Sequence, residues 1–178
     1  MEPLYPMSID FIHHSPFLIL ATAGADGQPD VSPKGDHAGF VTVVDPRNLL
    51  IPDRKGNKLL FSLQNILANP RVSILFVVAG TEETLRVQGT AELTSDPEIL
   101  RGLSARGQPA LLAIRVAVEK CFFHCAKAFK RSEIWRNESW PARQRISFGE
   151  QIAPRLGGDG ALAKQIDEFV EADYKENL

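Results

Sequence analysis

The sequence predicts a mainly β fold: an antiparallel sheet of six or so short strands closed as a small barrel, with peripheral helices and a C-terminal helical appendage. Two observations carry that expectation. Apolar runs of strand length recur between turn signals, and the helical stretches are few and separated. A doubly wound α/β chain would need a helix after nearly every strand, and this chain lacks them. Its 178 residues suit one domain, and a chain of that length buries about 70% of its unfolded surface without a disulfide or metal.

The elements follow in order. Residues 16–35 read as a hairpin, with Phe17-Leu-Ile-Leu-Ala-Thr going out, Ala25-Asp26-Gly27-Gln28 turning and residues 29–34 returning. Residues 39–44 and 48–51 are short and β-rich, divided by Asp45-Pro46. The period then becomes helical over 57–68, where Leu59, Leu63, Ile66 and Leu67, with Leu60 beside them, form one stripe that Asn69-Pro70 stops. Residues 71–78 and 83–93 return to strand character, the second with Leu85, Val87 and Ala91 on one face. Asp96-Pro97 opens a short helix. Residues 109–119 form a strand with Leu112, Ile114, Val116 and Val118 inward, and 126–130 look helical.

From 137 onward the pattern changes. Ser147 with Glu150 resembles a capping box, Pro154 keeps that helix short or kinked, and Gly157-Gly158-Asp159-Gly160 links it to an amphipathic helix bearing Leu162, Ile166, Phe169 and Val170. Residues 159–178 hold six acidic and two basic side chains. The expected division is therefore a barrel domain over 1–140 and a helical extension over 141–178 packed on it.

Composition narrows the function. Twenty basic and 22 acidic residues give a net charge of −2, unlike the basic excess of a nucleic-acid binder. The first ten residues carry Glu2 and Asp10 and no lysine or arginine, unlike a secretory leader. The longest apolar runs, 17–25 and 74–80, fall short of the ~18 residues that span a bilayer. A cytoplasmic protein without membrane or nucleic-acid partners is expected.

Two segments could carry chemistry. In Pro52-Asp53-Arg54-Lys55-Gly56-Asn57-Lys58, adjacent cations and a glycine precede the predicted helix start. Helix N-terminal amides and a forked guanidinium suit a phosphate, although a solvated basic loop has the same composition. No Gly-Lys-Ser/Thr occurs, so this is not a Walker loop. The second segment, Val31-Ser32-Pro33-Lys34-Gly35-Asp36, puts proline and glycine into a strand, which marks either a plain edge or the close approach of a ligand.

Together, Pro29-Asp-Val-Ser-Pro-Lys-Gly-Asp36, Asn48-Leu-Leu-Ile-Pro-Asp-Arg-Lys-Gly-Asn57, Asn65-Ile-Leu-Ala-Asn-Pro-Arg-Val72 and Glu83-Thr-Leu-Arg-Val-Gln-Gly89 resemble the pyridoxamine 5′-phosphate oxidase-like FMN-binding split-barrel flavoproteins. The likeness covers roughly 15–140, and His124-Cys-Ala-Lys-Ala-Phe-Lys-Arg-Ser-Glu-Ile-Trp135 resembles the ending of the family's FMN-dependent branch. The resemblance implies a six-stranded split β-barrel that forms a homodimer and binds FMN at the subunit interface. It implies that Ser32, Pro33, Lys34 and Gly35 run along the isoalloxazine, and that Ile51, Pro52, Arg54, Lys55 and Asn57 hold the ribityl chain and phosphate. Thr84, Arg131, Ser132 and Trp135 match regions that reach the cofactor, often from the other subunit. The strand at 31–34 lacks the arginine that opens this motif in true pyridoxamine phosphate oxidases, and their C-terminal arginine and tryptophan pattern is absent, so their substrate does not transfer.

An FMN-dependent oxidoreductase acting on an unidentified small molecule is therefore expected, with Lys34 as the cation favouring anionic reduced flavin. A flavin carrier or redox sensor without turnover, or a split barrel using F420 or haem, would share these features. No catalytic acid or base can be named. Cys121-Phe-Phe-His-Cys125 lacks the second knuckle of a zinc site and reads as packing cysteines. His37 follows the Lys34 strand closely enough to approach the ring, Trp140 could cover it, and His13 and His14 read as helix-end or surface residues.

Overall fold

The computed structural model describes residues 3–56 and 59–177. The chain divides into two compact units, Met1–Ser139 and Trp140–Leu178.

The first unit is built on seven antiparallel strands: β1 (Phe17–Ala23), β2 (Pro29–Gly35), β3 (Thr42–Asp45), β4 (Asn48–Asp53), β5 (Arg71–Val77), β6 (Thr84–Thr94) and β7 (Leu112–His124), in the order β2-β1-β5-β6-β7-β4-β3. The number is seven, against the six or so expected, and Thr42–Asp45, though only four residues long, pairs with β4 as a strand of its own. The backbone ladder does not close: β2 and β3 are its two edges. The hairpin of β1 and β2 has the expected turn, with Gly27 at φ 80°, where a Cβ would be strained.

Alternation along the strands places the core. Leu85 and Val87 of β6, Ile114 and Val116 of β7, and Leu18 and Leu20 of β1 are fully buried, as their period of two predicts. Burying each such side chain contributes roughly 1.5–3 kcal/mol. β6 and β7 slip register between Gln88 and Gly89, where a Cβ on Gly89 would come within 1.9 Å of the Ala117 carbonyl oxygen.

The helices differ more from expectation. An N-terminal helix α1 (Pro6–His14) starts with proline in its first turn, and the Ser8 hydroxyl accepts from the Tyr5 N–H at 2.9 Å and donates to the Tyr5 carbonyl at 2.8 Å. Helix α2 (Phe61–Ala68) begins four residues beyond the expected start, after Leu60 in the left-handed region at φ 55°. Its inward face is Ser62, Leu63 and Ile66, whereas Leu59 and Leu67 are exposed. α3 (Pro97–Gly102) is capped by Asp96, where the sequence allows either Ser95 or Asp96. β7 runs through His124, and of the two cysteines expected to be packing groups Cys121 is buried but Cys125, just past the strand end, is exposed. α4 (Lys127–Ser132) follows.

In the second unit, Ser147 caps α5 (Phe148–Ile152), and Pro154 falls in a 3-10 turn before α6 (Gly160–Asn177). Asp167 of α6 accepts from the Ser147 hydroxyl at 2.7 Å and the Gly149 N–H at 2.8 Å, and these bonds, the backbone one foremost, hold its carboxyl below the usual range. The helices cross at Gly149, where a Cβ would come within 1.9 Å of the Ala163 carbonyl oxygen.

Candidate functional site

β2 and β4 stand first and sixth in the sheet order, yet their side chains meet. Lys34 Nζ of β2 donates to Asp53 Oδ1 at the end of β4 at 3.1 Å, with side chains only 9% and 7% exposed. One residue beyond each strand, Arg54 Nε donates to Asp36 Oδ2 at 2.9 Å. The sheet therefore curls until its far parts are joined by two ion pairs. Lys34 and Asp36 follow the proline of an edge strand, and Asp53 and Arg54 follow Pro52, so opposite charges come off both strands at the same level.

Burial alone would raise the Asp36 carboxyl, but the His37 N–H and the Arg54 guanidinium outweigh it and hold the group below its ordinary value, with Arg106 adding to the effect. Arg54 also donates from Nη1 to the Leu103 carbonyl at 2.6 Å. Among the described residues, two of its five N–H donors are thus committed to the protein. Lys55 is exposed. The cations of this turn and the guanidinium of Arg54 together fit a dianionic phosphate.

The sequence-predicted residues fall into two groups. Ser32, Pro33, Lys34 and Gly35 lie on β2, and the Lys34–Asp53 and Asp36–Arg54 pairs bring that strand to the segment that carries Pro52, Arg54 and Lys55. Ile51 belongs to the same stretch, but its side chain is fully buried in the core, leaving only its backbone to face a ligand. Asn57 lies outside the described residues. Thr84 is buried at the start of β6, opposite His124. Beyond α4, Trp135 donates its indole N–H to the Thr81 carbonyl at 2.8 Å and stacks on Phe129 at 5.7 Å. Arg131 and Ser132, in the last turn of α4, are exposed, and Lys130 pairs with Glu82. Of this second group only Trp135 lines a groove of about 440 Å³, together with Phe129, Lys130, Glu133 and Glu138 among others. No described contact links the two groups within the chain.

Residues 9–125, about two thirds of the chain, match the sequence profile of pyridoxamine 5′-phosphate oxidase. The chain belongs to the pyridoxamine 5′-phosphate oxidase family. Solved structures share its fold. HupZ from Group A Streptococcus has a TM-score of 0.55 at 22% identity, over 67% of this chain and 94% of its own. A candidate pyridoxamine 5′-phosphate oxidase from Lactobacillus delbrueckii has a TM-score of 0.53 at 24% identity, over 68% and 99%. A conserved hypothetical protein from Mycobacterium tuberculosis has a TM-score of 0.51 at 18% identity, over 83% and 95%.

For this pyridoxamine 5′-phosphate oxidase family member, Asp36, Asp53 and Arg106 were not singled out from sequence. The available signal was the placement of opposite charges side by side in Lys34-Gly35-Asp36 and Asp53-Arg54. His37 is exposed at the rim, its N–H bonded to Asp36 Oδ1 at 2.8 Å. Burial raises the Cys121 thiol although the Ser8 hydroxyl opposes the shift, which keeps this cysteine an unreactive core group. Among the described residues no helix is long and apolar enough to cross a membrane.

Proposed function

We propose that the protein binds FMN and works as an FMN-dependent oxidoreductase on a small molecule, as a homodimer. The observation that carries the reading is the meeting of β2 and β4 through Lys34–Asp53 and Asp36–Arg54. It brings an edge strand with free backbone groups, Ser32–Gly35, beside the cationic turn Arg54–Lys55. Arg54 and Lys55 would hold the phosphate, and the backbone of β2 would read the ring edge. Bound there, the flavin would supply the electron transfer. Lys34 remains the cation suited to favour reduced flavin, with its charge offset by Asp53. The grouping of Thr84, Arg131, Ser132 and Trp135 away from this turn favours two copies per site, each supplying one group.

The test is the absorption spectrum of purified protein before and after incubation with FMN, riboflavin or F420, with molecular mass measured in parallel. A flavin spectrum that survives gel filtration on a dimer, and NADH or NADPH consumption with an added acceptor, supports the reading. Retention of F420 and not FMN would replace the cofactor, and tight FMN without turnover with any donor would make the protein a carrier or sensor.

A further inference from the structure

Between α3 and β7 the chain reverses in a two-residue turn. Ala105 and Gln108 exchange both backbone hydrogen bonds at 2.9 Å, with Arg106 at φ 50° and Gly107 at φ 75° between them. Left-handed backbone at both positions is the I′ arrangement, which takes asparagine, aspartate or glycine first and glycine second. Gly107 fits that rule and Arg106 breaks it. Arg106 is exposed, so packing does not hold it there. A side chain kept in strained backbone against local preference points to a function for its chemistry.

The surroundings say which. Leu103, three residues before Arg106, accepts the Arg54 Nη1 hydrogen bond, which ties this segment to the cationic turn. The positive charge of Arg106 is the least of the influences that lower the Asp36 carboxyl. Asp36 positions Arg54 through Nε but also cancels its charge, and a neutral pair has little attraction for a dianion. A further guanidinium on the segment that Leu103 ties to Arg54 adds to the positive charge that Lys55 already brings to this turn.

We infer that Arg106 is a specificity-determining cation that makes this site select a phosphate monoester over the same ligand without its phosphate. The inference rests on the proposed FMN site, and nothing in the sequence motifs assigned a role to this residue. The test compares dissociation constants for FMN and riboflavin, by flavin fluorescence quenching, in wild type, Arg106→Asn and Arg106→Lys, with thermal midpoints. Arg106→Asn is expected to raise the midpoint, because asparagine suits the turn, while weakening FMN roughly 10- to 100-fold, the equivalent of one charge-assisted contact. Riboflavin affinity should not move, and Arg106→Lys should recover most of the loss. Wild type that binds FMN while Arg106→Asn keeps the same FMN-to-riboflavin ratio overturns this inference alone. An equal loss of both ligands does the same, because it marks a general structural effect. Wild type with no affinity for FMN overturns the cofactor reading and this inference with it.

Discussion

Replacing Lys34 by methionine removes the ammonium that faces the Asp53 carboxylate at 3.1 Å, with both side chains under one tenth exposed. At an effective dielectric of about 20, opposite charges at that separation attract by about 5 kcal/mol before desolvation is counted. Desolvation has already been incurred by the folded carboxylate, so truncating one partner is expected to cost about 3–5 kcal/mol. A chain of this size loses about 2–4 °C per kcal/mol, which places the drop in Tm at roughly 6–20 °C. Arg71–Glu119 is the control. Its contact is shorter, at 2.6 Å, but its side chains are 67% and 49% exposed, so Glu119→Gln should cost no more than about 1 kcal/mol. Guanidinium denaturation of the ligand-free protein, followed by far-UV circular dichroism, measures both. Equal losses in Lys34→Met and Glu119→Gln would refute the claim that the β2–β4 pair acts as a buried contact.

Three other outcomes follow from the same geometry. Because the Asp36 carboxyl is held below its unfolded value of about 3.9, its contribution is complete above that value and is lost as pH falls through the folded one. Asp36→Asn should thus be less stable at neutral pH and lose less on acidification to pH 2, and parallel stability curves would contradict this. Asp53→Asn exposes the charge of Lys34 and should raise the reduction potential of bound flavin, read by dye-coupled spectral titration; a lowered potential would remove Lys34 from that role. Gly149→Ala forces a methyl to within 1.9 Å of the Ala163 carbonyl and should destabilise the α5–α6 unit by about 1–3 kcal/mol or more. Faster limited proteolysis within 140–178 would register it, and wild-type rates would refute it.

Much of the sheet could be read from local pattern, because the period of two along Leu85–Val87 and Ile114–Val116–Val118 coincides with burial. Helix α2 was misplaced because Leu59, Leu60 and Leu67 fit a helical stripe, while the left-handed Leu60 shifts the start and the small polar Ser62 takes the inward face. Helix α1 is absent from the sequence reading: Tyr5-Pro6-Met7-Ser8 is a start signal, but the helix it opens is only nine residues long. The motif segments 31–36 and 51–55 were identified, and the bonds that join them were not. Lys34 and Asp53 are 19 residues apart and Asp36 and Arg54 are 18 apart, on strands brought together only by the curl of the sheet. No local rule encodes that meeting. Arg106 illustrates the same limit, since its turn is recognisable only once both φ angles are known.

The way β2 meets β4 also bears on how a bulky planar molecule could be admitted. Among the described residues, the two strands share no ladder hydrogen bond, so parting them costs two charge contacts and unzips nothing. The neighbouring ladders, β1 with β2 and β4 with β7, have no bond that such a movement would need to break. A wall fastened in this manner can yield at one place and keep its shape everywhere else.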